Sequence, residues 1–422
     1  MSLKYGFHTL QRVVMNKRHS RILIFCLICL FPTLQPAFSA RSTGSEKKDS
    51  ATPPVTVLIA RPEDASFEST EDNKWFGALC DALFYFKFSG SGYIDAVPRD
   101  TVESNINQFF NLSRRLAEPD YKDLVKKFDV RYIIMQNYEV MRDNVQYLAE
   151  MISVEQSKVI STFEKTSPLS SLPRELDSCI IQFHRAAGLE LKPAHARFLR
   201  TPLISSNKRN LRQFSKILLD DLYGSTRQSN ELAEEYRKVV KRDVMMYLAH
   251  YYAARHCFRV EKYFEAASSL DNLLVTIGPF YPDLYIAAST SYRLAGNHDD
   301  AIRMAVLAEK AGMDQTGIIL QKARALEARG DNTEAVTAYR NVLKKDSENP
   351  FALEFFARYF NQREKPAEAL DYAEKLLAAD PANGDGYLEK GKSLVVLNRE
   401  ENAQKAFERA VTFLENDPLP HK

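Results

Sequence analysis

The chain has 422 residues, 45% of them hydrophobic and 27% charged, with only 15 glycines. That fits a soluble globular protein of two or three helix-rich domains. The first 40 residues hold five of the 57 basic side chains (Lys4, Arg12, Lys17, Arg18, Arg21) and none of the 55 acids. Without them the formal charge falls from +2 to −3, so the charge balance gives no argument for nucleic acid.

Lys17, Arg18 and Arg21 precede the apolar run Ile22–Phe31, and small residues follow at Ala37, Ser39 and Ala40. Charged, then apolar, then small is the pattern of a secretory signal peptide. The run is about half the ~20 residues of a spanning helix, so no integral span is expected in the mature chain. Cleavage near Ser39 predicts a periplasmic or extracellular protein; retention as an anchor is the rival reading. Met15 opens a more ordinary signal than Met1 does. Residues 40–53 read as a flexible polar leader. The mature cysteines Cys80, Cys179 and Cys257 share no short spacing and are expected as buried small hydrophobes.

Val55–Ala60 is a β-branched run closed by Arg61-Pro62, a buried strand. Trp75, Phe76, Leu79, Leu83, Phe84 and Phe86 recur at helical spacing, with Asn73 or Asp72 as N-cap and Gly90 and Gly92 as stops. Tyr93–Val97 is a second strand and residues 99–128 a second helix. Val130–Met135 is a third strand, and Tyr138–Met141, Gln146–Val154 and Lys158–Phe163 alternate or continue as strands joined by polar turns. Pro173–Ala187 is a closing helix. The order β-α-β-α-β-β-β-α makes residues 54–190 an α+β domain with a small mixed sheet. A first strand, the acidic loop Pro62-Glu63-Asp64, and the helix carrying Trp75-Phe76-Gly77 resemble the TolB amino-terminal-domain family. That resemblance implies an envelope protein. No β-propeller follows, so the role of TolB itself is not carried over.

Residues 188–212 are polar and basic and read as a linker or loose packing segment. From Leu211 helical spacing returns. The whole of 191–247 is thus a linker followed by a degenerate first repeat or a capping helix pair.

Ala267, Ala301, Ala335, Ala369 and Ala403 then stand 34 residues apart without a slip. That period marks a stacked two-helix repeat, with units 248–281, 282–315, 316–349, 350–383 and 384–417, and a tail at 418–422. Small residues at Ser289, Ala323, Ala357 and Gly391, apolar plugs at Phe258, Tyr292, Leu326, Phe360 and Leu394, and Pro279 and Pro381 at unit ends resemble tetratricopeptide repeats. The resemblance implies an all-α superhelix whose first helices line a concave wall. The expected packing row is the five alanines, because the two helices of each unit cross there.

The resemblance also assigns the partner-binding groove: Tyr252, His256, Arg259, Ile286, Arg293, Leu320, Arg324, Arg358 and Lys392. These form a basic ladder over an apolar floor, suited to a protein or an extended acidic peptide. Phe413 and Leu414 fall where a capping helix would cover them; they either pack back locally or mark self-association through an uncapped carboxyl end.

Nothing points to catalysis, a cofactor or a metal. There is no phosphate-binding glycine loop, nucleophile elbow or His-Glu-x-x-His. His250, His256 and Cys257 do not share a helix face. Asp220-Asp221 and Asp299-Asp300 are expected to flank helices. The expected function is a non-catalytic interaction scaffold of the cell envelope. The alternative is a regulator of an envelope enzyme, such as a cell-wall synthase, acting through the α+β domain.

Overall fold

The structure, a computed structural model, describes residues 54–65, 73–97, 129–224, 227–313 and 315–415. The expected signal peptide, leader, second helix over 99–128 and tail lie outside these residues. The chain divides into two compact units, one running to Tyr281 and one beginning at Pro282. Among the described residues no helix is long and apolar enough to cross a membrane.

The first unit opens with a mixed sheet. β1 (Val55–Ile59), β2 (Glu63–Asp64), β3 (Ile94–Ala96), β4 (Tyr132–Met141), β5 (Asn144–Ser153) and β6 (Lys158–Pro168) take the order β3-β1-β4-β5-β6, with β2 paired to β4. β1 runs parallel to β3, with α1 (Lys74–Gly90) as the crossover between them, and also parallel to β4. β4, β5 and β6 form an antiparallel meander. The two expected short strands at Val130 and Tyr138 are one continuous strand, since nothing between them breaks the β5 ladder. α1 buries Trp75, Phe76, Leu79, Leu83, Phe84 and Phe88, and α2 (Leu172–Ala186) adds Leu176, Cys179, Ile180 and Phe183. Cys80, Cys179 and Cys257 are free thiols in the interior.

The expected loose linker is not loose. Pro193–Arg200 forms a helix, α3, and Phe198, Leu199, Leu203 and Ile204 are buried. Polarity alone misleads here, because the few apolar side chains cluster at its end. Lys87 on α1 explains the anchoring. It is wholly buried, pairs with Asp177 on α2, and donates to the carbonyls of Leu199 (2.7 Å) and Thr201 (2.9 Å). All three ammonium donors are therefore satisfied. Phe198 stacks on Phe280 at 4.8 Å, and Phe86 meets Tyr281 at 4.6 Å. α4 (Lys208–Tyr223) then packs on α1, while α5 (Ser229–Arg242) packs on α6 (Tyr247–Arg259), the first helix of the repeats.

α6 and α7 (Tyr263–Ile277) form the first repeat. The second unit holds four more pairs: α8 (Pro282–Leu294) with α9 (His298–Lys310), α10 (Thr316–Arg329) with α11 (Asn332–Lys345), α12 (Pro350–Gln362) with α13 (Pro366–Ala379), and α14 (Gly384–Val396) with α15 (Glu400–Glu415). The five alanines of the row are all fully buried. The crossing is close: Ser289 Oγ donates to the Ala301 carbonyl at 2.8 Å, and a Cβ on Gly391 would fall 2.7 Å from the Phe407 ring. Asn349 and Asn383, each the last residue of its unit, cap the following helix by accepting from Ala352 and Gly386 N–H, each cap contributing about 1 kcal/mol. Gly330 leaves α10 at φ +95°, the left-handed exit that glycine tolerates.

Candidate partner-binding groove

The nine groove residues read from the sequence divide between the two units. In the first unit, Tyr252 and His256 are buried and Arg259 is exposed. Tyr252 stacks on Tyr236 of α5 at 5.5 Å. His256 Nε2 lies 2.9 Å from Asp221 Oδ2, and the Tyr236 hydroxyl donates to the same oxygen at 2.9 Å. One carboxylate thus joins α4, α5 and α6. The side chains expected on an open wall instead form the seam on which the preceding helices sit. The reason is that α5 covers this face of α6.

In the second unit, α8, α10, α12 and α14 supply the other six. Ile286, Arg293, Arg324, Arg358 and Lys392 are half-buried, and Leu320 is 7% exposed. Leu320 belongs to the cluster of Leu326, Tyr339 and Phe356, so it forms a floor beneath the wall. Ile286 lies against Gly317, where a Cβ would fall 2.9 Å from its Cδ1. The Arg324 guanidinium lies 4.8 Å over the Phe351 ring, a cation–π contact.

The ladder is not a row of open cations. Arg358 donates to Glu354 at 2.9 Å and forms an ion pair with Glu327 across to α10. Glu327 also accepts from the Tyr339 hydroxyl at 2.6 Å. Lys392 is held by Glu389 at 2.8 Å, and Glu389 accepts from Asn361 Nδ2 at 3.0 Å. Ser393 Oγ donates to Asn361 Oδ1 at 2.8 Å. Thr290 on α8 donates to Gln321 on α10 at 2.9 Å. Each neighbouring pair of first helices is therefore joined by a polar link: Thr290–Gln321, Glu327–Arg358, then Asn361 to Glu389 and Ser393. A partner carboxylate reaching Arg358 or Lys392 has to displace an internal one.

The sequence reading does not weigh these acids against the cations. Glu327 shares a repeat position with Arg293 and Asn361, and Glu354 shares one with Ile286 and Leu320. Reading both signs at each position would have shown the compensation. Elsewhere Phe413 stacks on Tyr387 at 5.5 Å, and Leu414 packs on Gly384. Both side chains pack locally against the cluster of the last pair. Among the described residues no three His, Cys, Asp or Glu side chains gather as a metal set.

The array thus has the architecture of a tetratricopeptide-repeat protein in its carboxyl half, and residues 320–384 match the tetratricopeptide repeat family model. No curated protein matches the chain. Similar solved structures include YrrB, described as a TPR protein with an unusual peptide-binding site. It is 17% identical with a TM-score of 0.34, over 44% of this chain and 95% of that one. MamA from Desulfovibrio magneticus RS-1 is 14% identical with a TM-score of 0.34, over 44% and 97%. A thermophilic TPR protein from Thermus thermophilus, TTC0263, is 18% identical with a TM-score of 0.31, over 43% and 97%.

Proposed function

We propose that the protein is a non-catalytic interaction scaffold of the cell envelope, exported by its amino-terminal segment, and that the first helices of the second unit receive an extended segment of a partner protein. The observation that carries this reading is the wall itself. Its polar links fix α8, α10, α12 and α14 side by side, while Ile286, Arg324 with Phe351, and Val396 (60% exposed) remain accessible along it. A pre-ordered wall lowers the entropic cost of binding an extended chain. The charged side chains at Arg358 and Lys392 are committed to Glu327, Glu354 and Glu389. Recognition in this reading rests on apolar contact along the wall more than on a run of acids. In the same reading the sheet domain, resembling the TolB amino-terminal domain in element order, supplies a second contact.

The test is partner capture from envelope extract by the full chain. Arg324→Glu combined with Ile286→Asp is expected to abolish a specific capture that Leu307→Asp retains. Leu307 is exposed on α9, a second helix of its pair. Equal capture by all three proteins would refute the groove.

A further inference from the structure

At the turn between α5 and α6, Val244 and Met245 stand 65% and 55% exposed. The turn is held on both sides. Asp243 accepts from the Met245 N–H at 3.2 Å through its side chain and from the Met246 N–H at 3.1 Å through its carbonyl, and Met246 is wholly buried. The two aliphatic side chains therefore project from an anchored tip.

Cations surround that tip. Lys241 and Arg242 are exposed at the end of α5, and Arg209 is exposed at the start of α4, flanked by Lys208 and Arg212. The two helix ends are tied together: Asn210 Nδ2 donates to Asp243 Oδ2 at 2.9 Å, and Arg242 donates to Gln213 at 2.7 Å. The neighbouring acids are already engaged. Asp143 lies 3.0 Å from Lys208 and 4.0 Å from Arg212, and Asp243 faces its own turn and Asn210.

We propose that this face is a peripheral membrane-binding surface that takes anionic phospholipid, with Val244 and Met245 entering the boundary between headgroups and acyl chains and the exposed Lys241, Arg242 and Arg209 meeting the phosphates. Interfacial binding needs buried apolar area together with cations at headgroup level. The tip provides both on a convex turn. An acidic protein would satisfy the cations and leave the projecting aliphatic pair without a purpose, so the bilayer is the better match.

The experiment is co-sedimentation of the full chain with vesicles of phosphatidylcholine containing one-third phosphatidylglycerol. Binding is expected at low salt, with loss at about 0.5 M salt and on vesicles of phosphatidylcholine alone. Lys241→Glu with Arg242→Glu should lower the partition by about tenfold or more. Val244→Ser with Met245→Ser should lower it too, with an unchanged circular-dichroism melt because both side chains are exposed. Absence of sedimentation, or sedimentation indifferent to both double variants, overturns the proposal. Binding to polyglutamate that survives Val244→Ser/Met245→Ser, in protein that ignores the vesicles, overturns it in favour of an acidic protein partner.

Discussion

His184 shows how a single buried side chain sets a pH limit on this fold. It is wholly buried on α2, its ring stacks on Phe88 at 5.1 Å, and its Nδ1 donates to the Ile180 carbonyl at 2.8 Å. That acceptor assigns the proton to Nδ1, and Nε2 is buried without a partner. Burial pulls its pKa down to about 4, against the smaller opposing effect of the Ile180 carbonyl. The unfolded chain titrates near 6.5. Between those values the unfolded state binds a proton that the folded state refuses. Stability is therefore complete above about 6.5 and falls as pH drops through the window, by about 3 kcal/mol in all. His184→Phe should flatten that slope by about one proton in urea unfolding followed from pH ~7 to ~4.5. An unaltered slope would show that His184 is not the group responsible. Nothing in the sequence marks His184 as buried beyond its place on an apolar face, because a histidine is equally at home on a surface.

At the scale of elements, the links between neighbouring first helices carry the next prediction. Arg358→Met leaves Glu327 and Glu354 facing each other without their cation. The cost should be about 1–2 kcal/mol, below the fully buried limit because a fifth of the Arg358 side chain still meets solvent. Adding Glu327→Gln should recover part of that loss in urea unfolding; strict additivity would contradict a direct pair. The helices themselves were legible. The alanine row falls, fully buried, on the second helix of every pair, because a steric crossing admits only a small residue and repeats at a constant interval. The α3 helix was not legible, since its anchoring comes from Lys87, more than 100 positions away in the chain. Nor was the covering of Tyr252 and His256, which depends on where α5 packs. A period reports how a unit packs on its own copies. It is silent on what an unrelated element lays over the first of them.

At the scale of the whole molecule, the chain consists of a sheet unit, whose α1 helix supports both the strands and the first repeat, and a second unit of four helix pairs with an ordered wall. Composition and period led to the class of fold. The ladder is not a row of open cations, because Arg358 pairs with Glu354 on its own helix and with Glu327 on the neighbouring one, and Lys392 pairs with Glu389 on its own. The central claim is that the first helices of the second unit hold the partner. The most direct measurement is site-specific photo-crosslinking in envelope extract, with the reactive group placed in turn at Ile286, Arg324 and Val396 on first helices and at Leu307 on a second helix. The account predicts one common crosslinked partner from the first three positions and none from Leu307. A partner crosslinked from Leu307 and from none of the other three would contradict it.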